Sequence, residues 1–245
     1  MPMPVLYEDE ALIAFDQPFA EAGGPPRGLA IVQRLDPEAS GVLLCAKTKA
    51  ALDRLSGQFQ SKTAERRFLA LAAVLEPARA MKVAALIRAP GGGLPESFTV
   101  ELALGEDEER PERMRIFRKH GGRPGATECR VLEAFGRFAW LECRPRGARR
   151  HQVRLHLAAA GAPVLNDPLY GDPEVRLLLS DLKRGYKGRD QERPLLGRLA
   201  LHAVEIAVDH PLTGERLRIE APAPADFAVA LKYLRKFAAG RKGSG

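Results

Sequence analysis

The sequence predicts a mixed α and β fold. Three observations carry that reading. Short apolar runs of strand length, such as residues 42–46 and 68–75, recur between turn-forming clusters. Three longer segments, at residues 48–60, 149–160 and 224–237, carry apolar residues at helical spacing. The hydrophobic fraction is 45% over 245 residues, enough for a proper core in one large domain or two small ones.

Taken in order, VLYEDEALIAFDQP (residues 5–18) predicts two short strands around the acidic turn Glu8-Asp9-Glu10. Residues 20–30 are rich in Gly and Pro and read as a loop. The stretch QRLDPEASGVLLCAK (residues 33–47) divides in two. Gln33 to Gly41 is turn-rich, with Asp36 close to Arg34 and ahead of Pro37. Val42 to Ala46 is an apolar run that reads as a buried strand. Thr48 is placed to cap a helix through about Gln60, with Leu52, Leu55 and Phe59 on one face. Residues 68–75 give the next strand.

Residues 76–127 offer strand candidates at 83–87, 98–104 and 114–117, separated by GGGLPE, GEDEERPER and RKHGGRPG. They read as hairpins with long, charged, mobile tips. Residues 127–133 and 138–143 form an antiparallel pair around Phe135-Gly136-Arg137. Residues 149–160 read as a helix with Val153, Leu157 and Ala160 on its apolar side, ended by Gly161 and Pro163. NDPLYG (residues 166–171) is a turn, and residues 173–197 are polar and irregular. Residues 199–208 and 216–219 suggest a hairpin turning at Thr213-Gly214, and Pro224 opens an amphipathic helix to about Phe237. The tail, residues 240–245, is expected to be disordered. No internal repeat and no domain boundary stand out.

Composition narrows the function classes. No run of about 18 apolar residues is present, so no membrane span is expected. The N-terminus lacks the basic start and apolar block of a secretory signal. Cys45, Cys129 and Cys143 sit inside strand-like runs and read as small core hydrophobes in a reducing, cytoplasmic setting. No Cys/His spacing suggests a metal. The formal net charge of +7 makes nucleic acid the leading partner class, although a merely solvated basic surface accounts for the charge equally well. Aromatics are only 6%, too few for an array of stacking platforms.

Two features point to chemistry. Asp36 is a loop carboxylate at the edge of a core strand, where enzymes tend to hold reactive groups; an ordinary turn acid fits the same pattern. Arg144, Arg146, Arg149, Arg150 and Arg154, with Arg137 just upstream, cluster around the start of the 149–160 helix and read as a phosphate-binding set, with a merely solvated helix start as the alternative. Arg154 lies in an apolar stretch, so its guanidinium needs an acid or a phosphate as partner. His151 and His156 are five apart and do not share a helical face; each reads as a satisfied structural histidine.

Five ordered stretches resemble one family. RLDPEASGVLLCAK is similar to the RLDxxTSGLLLxAK motif of the RluA-type pseudouridine synthases. RRFLALAA is similar to their K-x-Y-x-A strand. ARRHQVRLHLAAAGAPVLNDPLYG resembles GRTHQIRxHLAxxGxPIxGDxLYG, and LALHAVEIAVDHPLTGERLRIEAPAPADF resembles the family's closing segment. The opening strand pair and the loop RMRIFRKHGGRPGATE also look like family counterparts, so the likeness runs from Val5 to Phe227. It implies an α+β fold: a mixed, mainly antiparallel sheet with flanking helices and a cleft across its middle. It also implies isomerisation of uridine to pseudouridine in tRNA or ribosomal RNA, with no cofactor and no metal. Asp36 then corresponds to the nucleophile, Arg154 to its partner, and Phe68 to the aromatic against the target base. Arg34, Arg146, Arg149, Arg150, His151 and Gln152 fall where RNA contacts are expected. A single catalytic domain over residues 1–239 is expected, without the S4-type RNA-binding domain of many relatives, and a monomer is the default.

The departures bear on activity. Phe68 stands where the family has Tyr, so no phenol is available to take a proton. Gln33 replaces a His, Ala39 a Thr, Ala148 a Gly, Arg150 a Thr, and Gln17 a Lys. An alternative reading is therefore a catalytically weakened RNA-binding homologue of the same fold.

Overall fold

The computed structural model describes residues 3–19, 28–81, 85–117, 120–147, 149–186 and 192–238. The predicted tail and most of the loop at 20–30 lie outside the described residues, as do residues 82–84 of the predicted 83–87 strand; residues 85–87 form no strand.

The opening hairpin is β1 (Val5–Glu8) and β2 (Leu12–Gln17). Asp9 organises its turn, accepting the N–H groups of Ala11 (2.7 Å) and Leu12 (2.9 Å) on one carboxylate oxygen. A two-residue strand β3 (Ala30–Ile31) precedes β4 (Ser40–Ala46), and all seven residues of β4 are buried. A continuous apolar run is what a strand covered on both faces needs. Helix α1 (Lys49–Ser61) covers one of those faces through Ala51 and Leu55. Thr48 caps it as expected, its hydroxyl accepting the Ala51 N–H at 3.1 Å.

The middle of the chain supplies β5 (Glu65–Ala73), β6 (Ser97–Glu106), β7 (Met114–Phe117), β8 (Arg123–Phe135) and β9 (Phe138–Arg146). Helix α2 (Gln152–Ala159), a short helix α3 (Leu179–Leu182), β10 (Leu201–Asp209), β11 (Arg216–Glu220) and helix α4 (Ala225–Phe237) complete it. The eleven strands make one sheet in the order β1-β2-β4-β10-β5-β9-β8-β6-β7, with β11 on β10 and β3 on β4. Every pairing is antiparallel except β4 with β10.

That parallel seam joins the two halves of the sheet, and it is short: His202 opposite Ser40, Ala203 opposite Gly41. Gly41 adopts φ +118°. A Cβ there would lie 2.2 Å from the Ala203 carbonyl oxygen and 2.6 Å from its nitrogen. The Ser-Gly step thus reads as a close-approach point between backbones rather than a simple turn.

Helix α2 departs from the sequence reading in two ways. It begins at Gln152, not Arg149, because His151 sits in the left-handed region at φ 54° and interrupts the helical course. It also has no solvent face: all eight residues are buried, Arg154 and His156 included. Leu155 and Ala158 pack against Leu104, Met114 and Tyr170, while Val153 and Leu157 join the main core beneath β5 and β9. The helix packs on the sheet, against β5 and β9 on one side and β6 and β7 on the other.

Two buried histidines of this core find partners across elements. His156 Nδ1 lies 2.8 Å from the Thr127 hydroxyl, and His202 Nδ1 lies 2.9 Å from the Ser40 hydroxyl. Burial pushes both imidazoles down to about 4.

Two outcomes are expected from this fold. Replacing Gly41 with Ala should lower stability by at least about 2 kcal/mol in urea unfolding, since the β4–β10 seam has no room for a methyl group; an unchanged midpoint would contradict the close approach. The two buried histidines titrate lower in the folded chain than their unfolded value near 6.5, so the unfolded state binds more protons between these limits. Stability should be full above about pH 6.5 and fall as the pH drops toward about 4, by up to about 3 kcal/mol per histidine. His156→Gln should flatten that slope in unfolding titrations.

Candidate active site

The loop before β4 and the segment leading into α2 face each other across a cavity of about 720 Å³. Asp36, Arg154, Phe68, Arg34, Arg149, Arg150, His151 and Gln152 all line it. Arg146 does not; it is exposed and pairs with Glu128 on the neighbouring strand.

Arg154 is the organising group. Its side chain is 0% exposed. Nε donates to Asp167 Oδ2 at 2.8 Å and one terminal nitrogen to Asp167 Oδ1 at 2.7 Å, a two-pronged pair with a carboxylate that is also fully buried. Asp167 additionally accepts the N–H groups of Leu169 (2.9 Å) and Tyr170 (3.2 Å). The remaining guanidinium nitrogen, NH1, points toward the cavity, 3.2 Å from Asp36 Oδ2 and 3.3 Å from Glu38 Oε2. Burial pulls the Arg154 pKa down, but the hydrogen bonds and charge of Asp167, joined by Asp36, outweigh it and hold the group above the ordinary arginine value.

Asp36 keeps partial access to the cavity, its side chain 18% exposed. Its two oxygens differ: Oδ2 is held by Arg154, while Oδ1 faces His151 Nε2 at 3.9 Å. The other imidazole nitrogen of His151 is 2.9 Å from the Tyr170 hydroxyl. His151 is therefore a buried but cavity-facing histidine, unlike His156, which matches the structural role expected of it.

Phe68 comes from the middle of β5, paired with Cys143 of β9 on one side and Ala203 of β10 on the other. Its ring is nearly buried. The Arg66 guanidinium carbon lies 5.8 Å from the Phe68 ring centre and 5.9 Å from that of Phe59, and this side chain donates to the Gly147 carbonyl. Burial lowers the Arg66 pKa to about 10, opposed by the nearby charge of Asp36.

The arginine cluster separates into distinct jobs. Arg137 pairs with Asp181, Arg144 with Glu142 and Arg146 with Glu128. Arg150 donates to the carbonyls of Pro111 and Glu112 (both 3.0 Å), fastening the 105–113 tip that was expected to be mobile to the cavity wall. Gln152 donates to the carbonyls of Ala126 and Arg146 and accepts the Arg149 N–H. Arg34 is exposed and Arg149 half-buried at the cavity.

Sequence reasoning missed Glu38, Arg66, Tyr170 and Asp167. A buried arginine demands an acid, and Asp167, in the turn just after α2, was the available signal. Nothing in the spacing pointed to Arg66, which reaches the cavity from β5, or to Tyr170, which stands behind His151 from the turn after α2.

The site is thus a carboxylate presented to a cavity by a buried arginine, on a mainly antiparallel sheet. Residues 20–159, more than half of the chain, match the family described as RNA pseudouridylate synthase. The chain belongs to that family. It is 29% identical over 257 residues to a ribosomal large subunit pseudouridine synthase D of Neisseria meningitidis, covering 96% of this chain and 62% of that protein. It is 30% identical over 249 residues to a ribosomal large subunit pseudouridine synthase C of Escherichia coli, covering 94% of this chain and 70% of that one. The human RNA pseudouridylate synthase domain containing 4 shares the fold, with a TM-score of 0.66 and 20% identity over 94% of this chain and 92% of its own. Together these uphold the α+β, mainly antiparallel fold that the resemblance implied. The chain thus spans less than two thirds of the length of the Neisseria relative.

Removing Asp167 should leave the Arg154 charge buried without its main partner. Asp167→Ala is expected to cost about 3–5 kcal/mol in chemical denaturation. A loss below about 1 kcal/mol would mean the pair is not what holds Arg154 in place.

Proposed function

We propose that the chain isomerises uridine to pseudouridine within RNA, with large-subunit ribosomal RNA as its substrate class. The observation that carries this reading is the Asp36–Arg154 contact at 3.2 Å, opening onto a cavity of about 720 Å³. The relatives' names favour ribosomal RNA over tRNA.

In this reading Asp36 is the nucleophile. The reaction breaks the glycosidic C–N bond, turns the base and rejoins it through carbon. A carboxylate can add to the nucleotide and leave again, dividing one hard step into two easier ones. Arg154 compensates the carboxylate's charge at Oδ2, while Oδ1 faces His151 Nε2. The uridine first leaves its stack, at a cost of a few kcal/mol offset by contacts with the pocket. Phe68 and the Arg66–Phe59 pair supply an apolar and cationic wall for the flipped base. Arg34 and Arg149 are the cavity-lining cations that fit contact with the RNA backbone. The chemistry uses side chains alone, with no metal or cofactor.

Phe68 also supports a second reading, in which the chain binds RNA but turns over slowly. A ring without a hydroxyl stacks but takes no proton, so the C5 proton must leave by another route.

Both readings are separated by tritium release from RNA labelled at C5 of uridine. The wild-type chain is expected to release tritium, to keep doing so after exhaustive chelation, and to lose all release on Asp36→Ala while staying folded. Release that persists in Asp36→Ala removes Asp36 from the reaction. A large gain in turnover on Phe68→Tyr selects the weakened-homologue reading.

A further inference from the structure

His151 occupies an unusual position, and its surroundings assign its protons. Tyr170 sits behind it. The Tyr170 hydroxyl accepts the Met114 backbone N–H at 2.7 Å and lies 2.9 Å from His151 Nδ1. With its oxygen already accepting one hydrogen, the phenol satisfies both its roles by donating its own hydrogen to Nδ1. A neutral imidazole then carries its hydrogen on Nε2, the nitrogen that faces Asp36 Oδ1 at 3.9 Å. Burial keeps the ring neutral: it lowers the pKa, Asp36 opposes, and the charges of Arg154 and Arg150 push the same way as burial.

The backbone argues that this placement is selected. His151 holds φ 54° and ψ 17° at the N-terminus of α2, a left-handed conformation that a β-carbon disfavours. Its side chain makes no capping hydrogen bond to the helix. Glycine is the residue that takes such a conformation without strain. The position is given instead to an imidazole facing the cavity, 6% exposed.

We infer that His151 is a catalytic hydrogen-bond donor whose Nε2–H, held in that tautomer by Tyr170, stabilises the charge gathering on the uracil carbonyl oxygens as the base is detached. The inference rests on the proposed isomerisation. When the C1′–N1 bond breaks, its electron pair goes to the base and spreads onto the carbonyl oxygens, while a carboxylate oxygen of Asp36 bonds to the sugar. Any nucleotide atom bonded to Oδ1 comes within reach of the adjacent N–H. The hydrogen stays on His151 throughout: it is donated as a hydrogen bond, not transferred. A neutral donor does this without forming an ion pair that would quench the nucleophile, and preorganised donors of this kind act strongly in a site closed to water. Tyr170 is a positioning residue, touching the histidine and not the base.

Two measurements test it. The first is a two-bond proton–nitrogen correlation spectrum of the protein labelled with nitrogen-15 histidine, with the His151 signals identified by their loss in His151→Gln. The Nε2–H tautomer is expected; an Nδ1–H tautomer or a protonated ring at neutral pH overturns the inference. The second is single-turnover isomerisation of a ribosomal RNA fragment alongside its binding affinity. His151→Leu should slow the step by about 10²–10³-fold with unchanged affinity, as loss of one such donor does elsewhere. His151→Gln, which keeps an N–H, should recover most of that rate, and Tyr170→Phe should fall between wild type and His151→Leu. Equal rates in wild type and His151→Leu, or a loss confined to RNA affinity, overturn the inference. Should His151→Leu fail to fold, Tyr170→Phe at the wild-type rate does the same. A wild-type chain with no isomerisation at all overturns the proposed function instead, while the spectrum still reports the tautomer.

Discussion

The site depends on one ion pair, Arg154 with Asp167. A guanidinium with no exposed surface is stable only if its hydrogens and charge are answered, and Asp167 answers two of its nitrogens in a fixed fork. Once that fork is set, NH1 has a single direction left, toward Asp36 and Glu38. The Asp36 carboxylate is thus oriented by a group that is itself held from behind. Asp167 is secured in turn by the N–H groups of its own turn, so the chain of support ends in backbone rather than in a flexible side chain.

The sheet brings the other pieces to the same place. The parallel contact of β4 with β10 lies where the Asp36 loop runs into β4, and Gly41 lets the two backbones meet. On the far side of β10, β5 carries Phe68 and Arg66 to the cavity from a strand paired on both edges. The β10–β5 ladder also shifts register between Ala203 and Glu205, beside Phe68. Bulges of this kind are common where a strand must aim a side chain at a site. Helix α2, buried on all sides, fixes Arg154 against the same sheet.

Much of this was legible before any coordinates. The apolar run at 42–46 read as a covered strand, Thr48 as a helix start, and the Phe135-Gly136-Arg137 turn joined two strands of the expected kind. Local signals of this sort survive because capping, turn geometry and strand burial are settled within a few residues. The arginine cluster was less legible. Charge alone could not tell Arg146, bound to Glu128, or Arg150, bound to two carbonyls, from cations left to meet RNA, because each partner comes from a distant strand or loop. The surroundings of His151 were hidden for the same reason: its spacing from His156 excluded a shared metal site but said nothing of Tyr170 behind it or Asp36 in front.

By itself the sequence determined most of the strands, the existence of the three longer helices and the motifs that tie Asp36, Phe68 and Arg154 to one family. These rest on short-range periodicity and turn chemistry, which any reader of the chain can count. Tertiary structure alone decided which acid neutralises Arg154, which oxygen of Asp36 it holds, and which nitrogen of His151 faces Asp36. Those choices belong to contacts between residues as far as 118 positions apart, where charge and hydrogen bonding act through space and leave no trace in spacing.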